Sequence, residues 1–169
     1  AARTLMNGTL DGIAKDLNIE AGAGENLLML SDVASHVGDT MTLTNNLIRG
    51  LVPADISYTA TGGNFSGGIT VWSGFGADTV TVSSTRLDTA PADVETITTL
   101  NTGLGNDMVT VTLNAATDGF FVLNTQGAYG REFYPEATYP AATDNDTVDA
   151  SASSLPLVVF GGQGADSIT

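Results

Sequence analysis

Every Gly-x-Gly in this chain is followed two residues later by Asp or Asn, and two residues beyond that by an aliphatic side chain. The four copies are Gly22-Ala23-Gly24-Glu25-Asn26 with Leu28, Gly74-Phe75-Gly76-Ala77-Asp78 with Val80, Gly103-Leu104-Gly105-Asn106-Asp107 with Val109, and Gly162-Gln163-Gly164-Ala165-Asp166 with Ile168. Glycine lets the backbone turn tightly without a Cβ penalty. The acidic or amide residue ends the turn on a side-chain oxygen, and the aliphatic begins a strand. A chain punctuated in this way reads as strand, tight turn, strand.

The surrounding pattern agrees. Twenty glycines, with many threonines and valines, disfavour long helices. Only Thr4 to Lys15 and Asn45 to Leu51 hold enough helix formers for a short helical turn. Period-two alternation is clear at Leu17 and Ile19, Met41 and Leu43, Ile69 and Val71, Val80 and Val82, Val109 to Leu113, and Leu157 and Val159. The second glycines fall at 24, 76, 105 and 164, in steps of 52, 29 and 59 residues. Two steps are close to twice the third, which predicts coils of roughly 25 to 30 residues, about six in all. Gly38-Asp39 and Asn145-Asp146 resemble Ala77-Asp78 and fill the gaps as degenerate turns. Thr59 to Gly68 reads as a glycine-rich insertion. Residues 127–142, with Tyr129, Arg131, Phe133, Tyr134 and Tyr139, read as an inserted aromatic loop that covers one side of a coil.

Charge narrows the partners. Nineteen acidic residues against five basic ones give a net charge of -14, which argues against nucleic acid and anionic membranes. With 42% apolar residues the chain is no disordered acidic tail. It has no cysteine and one histidine, which disfavours zinc, copper and iron sites and rules out disulfides. No segment is long and apolar enough to insert in a membrane. Both ends suggest a section of a longer, extracellular protein.

Residues Gly161 to Thr169 match the nonapeptide Gly-Gly-x-Gly-x-Asp-x-aliphatic-x in full. This segment resembles the haemolysin-type, or RTX, calcium-binding repeat of secreted bacterial proteins. In the other copies Ala21, Ser73 and Thr102 replace the first glycine. The resemblance implies Ca2+ held between stacked turns of a parallel β-roll. Asp78, Asp107 and Asp166 would be its side-chain ligands, with the carbonyls of Gly74, Gly76, Gly103, Gly105, Gly162 and Gly164 beside them. Asn26 would add a neutral oxygen, and Asp144 and Asp146 would face the last turn from one coil earlier. Calcium suits such a set because it takes six to eight hard oxygens in flexible geometry. The family runs its nonapeptides in tandem, whereas here each stands alone. A larger parallel β-helix with glycine turns along one edge fits the spacing better, with calcium where turns stack, the Gly74 and Gly103 turns above all.

The expected fold is therefore all-β, one parallel β-solenoid domain over residues 1–169. The expected role is a calcium-stabilised structural or adhesive module of a secreted or cell-surface protein, such as an adhesin or surface layer, and not an enzyme. Neighbouring domains or subunits would cap the coil ends, with self-assembly and a carbohydrate ligand as further partners. The competing expectation is a polysaccharide-cleaving enzyme on the same fold, using the carboxylates Asp144, Asp146 and Asp149. His36 reads as a surface residue, and the alternating threonines as ordinary solvent-facing strand chemistry.

Overall fold

The computed structural model describes residues 8–89, 95–125 and 144–169. Among them there is no helix, and fifteen short strands form three mostly parallel sheets. The strands are β1 (Leu17–Glu20), β2 (Gly24–Glu25), β3 (Leu28–Ser31), β4 (Thr40–Leu43), β5 (Leu47–Arg49), β6 (Ile56–Thr59), β7 (Gly63–Asn64) and β8 (Ile69–Trp72). They continue with β9 (Thr79–Val82), β10 (Ile97–Asn101), β11 (Met108–Val111), β12 (Phe120–Asn124), β13 (Thr147–Asp149), β14 (Leu157–Phe160) and β15 (Ser167–Ile168).

A five-stranded sheet runs β14-β12-β10-β8-β3, and an eight-stranded sheet runs β1-β6-β5-β4-β9-β11-β13-β15. The chain passes from the first sheet to the second five times, at β3 to β4, β8 to β9, β10 to β11, β12 to β13 and β14 to β15. Each passage lays its strands parallel to those of the passage before. Alternation decides which residues face inward. Met41, Val80, Val109 and Val148 stand in one buried register column, continued by the half-exposed Ile168. Leu30, Val71, Leu100 and Leu123 form the facing column, continued by Val159. Both belong to one apolar core. Outward-facing positions carry Thr40, Thr79, Thr81 and Thr110, as expected for a sheet with one wet face.

Two segments differ from the sequence reading, and a third, Thr4 to Lys15, holds no helical turn over its described residues 8–15. The stretch from Asn45 to Leu51 holds no helical turn: β5 pairs antiparallel with β4 and β6. The reason is local, because Thr44 starts a hairpin in which its N–H donates to Leu47 O (2.9 Å) and its hydroxyl oxygen accepts from Leu47 N–H (3.0 Å). The glycine-rich stretch from Thr59 to Gly68 is no simple insertion either, since β7 pairs in parallel with β2. The aromatic segment 127–142 lies outside the described residues. Passages are also uneven in length. Leu28 pairs with Ile69, but Thr98 pairs with Phe121, so no single period describes the chain.

Candidate functional site

The three Gly-x-Gly turns that end in Asp connect the five-stranded sheet to the eight-stranded one at the same edge: residues 73–78, 102–107 and 161–166. All six of their Gly-x-Gly glycines have positive φ. The first two turns stack directly, with Phe75 bridged to Leu104 and Gly76 N–H donating to Leu104 O at 2.8 Å. The strand register carries the stacking to the aspartates and builds a ladder. Asp39 N–H donates to Asp78 Oδ1 (2.8 Å), Asp78 N–H to Asp107 Oδ1 (2.9 Å), Asp107 N–H to Asp146 Oδ1 (2.9 Å), and Asp146 N–H to Asp166 Oδ1 (3.1 Å). Each carboxylate therefore takes its backbone donor from the rung before it.

The second carboxylate oxygen is closed from within the turn where the sequence allows. Ser73 donates its hydroxyl to Asp78 Oδ2, and Thr102 donates to Asp107 Oδ2. Thr125 occupies the same place in the fourth rung but turns its hydroxyl to Gly161 O (3.0 Å). Asp146 Oδ2 is then buried without a partner, as is Asp39 Oδ2. Beside the ladder runs a second, opposed set of contacts. Asn145 N–H donates to Asn106 Oδ1 (2.8 Å) and Ala165 N–H to Asn145 Oδ1 (2.7 Å).

Burial dominates the electrostatics here. It pushes Asp107 up to about 7, against the Thr102 hydroxyl and the Asp78 N–H, with the Asp78 and Asp146 carboxylates adding to the rise. Asp39 also rises to about 7, through burial and the charges of Asp78, Asp32 and Asp11. Burial likewise raises Asp78 and Asp146. Neither described ion pair relieves this edge: Arg49 holds Asp55 at 2.6 Å and Arg86 holds Asp88 at 2.8 Å, both elsewhere. Among the described residues no three Asp, Glu or His side chains converge to hold a metal. A cation at this edge would draw on one or two carboxylates, with backbone oxygens completing its shell. The donors present are all oxygen, and three of them, on Asp32, Asp39 and Asp146, are orphaned, so a hard cation suits them and a soft one does not.

The expected ligands divide between two places. Asp78, Asp107, Asp146 and Asp166 share the ladder. Asp144 lies beside it, buried, with its Oδ1 accepting from Gly105 N–H (2.6 Å) and its carbonyl packed on Gly164. Asn26 is elsewhere. Its turn joins β1 to β3 and stacks on Gly62 and Gly63, not on another Gly-x-Gly-x-Asp. The Asn26 side chain presents its NH2, not its oxygen, to the carbonyls of Gly22 (3.3 Å), Gly24 (3.2 Å) and Asn64 (3.0 Å). The positive end of the amide thus fills the place where these carbonyls converge. Glu20 clamps the same corner. The Thr61 and Gly22 N–H groups and the Thr59 and Thr61 hydroxyls donate to it, and its carboxyl falls to about 2, the Thr61 N–H contributing most.

Sequence reasoning missed the hydroxyl column. Ser73 and Thr102 stand out in the sequence only as departures from Gly-Gly, and a donor five residues before each aspartate was the available signal. Asp88 is a buried anchor that accepts from Phe65 N–H (2.8 Å), Thr96 hydroxyl (2.6 Å) and Arg86 (2.8 Å). His36 stacks on Phe75 with ring centroids 5.1 Å apart. Comparison of the chain with protein-family models, curated proteins and solved structures found no match.

Proposed function

We propose that the chain winds as a parallel β-solenoid and serves as a calcium-stabilised structural module of a secreted or cell-surface protein. The observation that carries this reading is the aspartate ladder. Carboxylates stacked at strand spacing repel one another, and burial strengthens the repulsion. Protons relieve it at low pH. At neutral pH a divalent cation relieves it while supplying bonds, so binding is coupled to folding. Asp78, Asp107, Asp146 and Asp166 would give the charge, with the carbonyls of Gly74, Gly76, Gly103, Gly105, Gly162 and Gly164 completing the shells. The excess of acidic residues supports a setting in which calcium is plentiful. The partly exposed Val159 and Ile168 at the end of the core columns support capping by a neighbouring domain or subunit. No observation on the described residues favours the polysaccharide-cleaving reading.

Calorimetric titration of metal-free protein with calcium, alongside thermal melts in chelator and in excess calcium, tests the proposal. The expected result is saturable binding and a higher melting temperature. A calcium concentration of about 100 Kd stabilises a single site by roughly 2.7 kcal/mol. Superimposable melts with no binding heat would overturn it.

A further inference from the structure

The first rung of the ladder departs from the others in a way that no glycine motif marks. Register aligns Asp32, Ser73, Thr102, Thr125 and Gly161 in one column. Asp32 N–H donates to Trp72 O (3.0 Å), Ser73 N–H to Asn101 O (3.0 Å), Thr102 N–H to Asn124 O (3.1 Å) and Thr125 N–H to Phe160 O (3.0 Å). The second column is Asp39, Asp78, Asp107, Asp146 and Asp166. In the second and third rungs the first-column residue closes its hydroxyl on the aspartate. In the first rung Asp32 stands where that hydroxyl should be, so a carboxylate faces a carboxylate.

Donors do not close the pair: Leu10 N–H and the Ser35 hydroxyl reach Asp32, and neither brings a positive charge. Asp32 is 1% exposed; its Oδ1 accepts from Leu10 N–H, and its Oδ2 is buried without a partner. Asp39 Oδ2 is in the same condition. The other charges acting on the pair are Asp11 and Asp78, which are also negative. A carboxylate cannot donate a hydrogen bond to its neighbour unless it is protonated. Two buried anions facing each other without positive charge are strongly unfavourable. The turn between them is two residues longer than 73–78, and His36, Val37 and Gly38 at its crest are exposed, which leaves a route for a small ion and water.

We propose that Asp32 and Asp39 form a divalent-cation site of the hard, calcium-preferring class at the head of the aspartate ladder. The two orphaned Oδ2 atoms bind it, and backbone carbonyls of residues 33–38 with water complete the shell. Calcium is favoured over magnesium because an irregular eight-residue turn offers no rigid octahedron. The site uses no Gly-x-Gly, so it goes beyond the glycine-turn reading and is separable from it.

The test is Asp32→Ser, which builds in the first rung the pair that Ser73 and Asp78 form in the second. Asp32→Asn is the companion variant: it keeps an oxygen for Leu10 N–H and gives Asp39 an amide donor. Each is compared with wild type by calcium titration calorimetry at neutral pH and by melts in chelator and in calcium. We expect one calcium fewer per chain, a melting temperature in chelator above that of wild type, and a smaller rise on adding calcium. Unchanged stoichiometry and an unchanged calcium shift in whichever variant folds would overturn this site while leaving the glycine-turn reading intact. Loss of the only calcium bound would establish this site and overturn the glycine-turn sites. Absence of calcium binding in wild type would overturn both.

Discussion

Single hydroxyls do much of the work at the turn edge. Thr102 brings a donor to a carboxylate that is otherwise held by one backbone N–H in a buried setting. Thr102→Val keeps the shape and removes the donor. Hydrogen bonds to charged groups are worth about 1.5–3 kcal/mol, so the variant should lose roughly that much stability in urea unfolding. A loss within error of zero would mean that the Thr102 hydroxyl is not needed to hold Asp107. At this scale the sequence was only half legible. The aspartates were visible because glycines announce them. Asp32 was not, because its importance comes from standing opposite Asp39, seven residues on, across a turn with no Gly-x-Gly. Asn26 was visible but misassigned: an amide among carbonyls must present nitrogen, and only the stacking of Asn64 beside it shows that carbonyls surround it.

At the scale of elements, turn stacking decides what a position tolerates. Gly105 has φ +153°, and a Cβ there would sit well inside contact distance of the Gly76 carbonyl oxygen in the adjacent turn. Gly22 has φ +74°, but nothing lies within 4 Å of its would-be Cβ. Gly22→Ala should therefore cost only the backbone penalty, about 1 kcal/mol. Gly105→Ala must also push two turns apart and should cost several-fold more, read as paired chemical-denaturation midpoints; equal losses would argue against close stacking. Strands were legible wherever alternation was strong, as at Val80 and Val82 or Val109 and Val111, because inward and outward environments differ sharply there. Strand β5 was hidden because Asn45 to Leu51 lacks that contrast, and Thr44 sets its hairpin. Register was hidden as well. The excess length sits in β5 to β7 and in the connections after β9 and β12, so motif spacing in the sequence does not measure a repeat.

For the whole molecule, the ladder sets an unusual pH dependence. Asp39 and Asp107 move from an ordinary value of 3.8 up to about 7, so the folded chain holds protons that the unfolded chain releases. Their stabilising contribution is fully present below about pH 3.8 and is lost as pH rises through about 7. Glu20 acts in a lower window: its contribution is present above its ordinary 4.5 and is lost as pH falls through about 2. In chelator, melting temperature should therefore fall as pH is raised from about 4 to about 7. Calcium should abolish that fall, because the cation takes the place of the protons. Circular-dichroism melts across this range check both arms; a flat profile in chelator would contradict the burial argument.

The ladder also has a direction. From Asp78 to Asp166, each aspartate receives its backbone donor from the rung on its N-terminal side. An acceptor laid down later always meets a donor already in position. The edge can therefore be completed vectorially, in the order in which a ribosome makes it, with no carboxylate waiting on chain not yet synthesised for its backbone N–H.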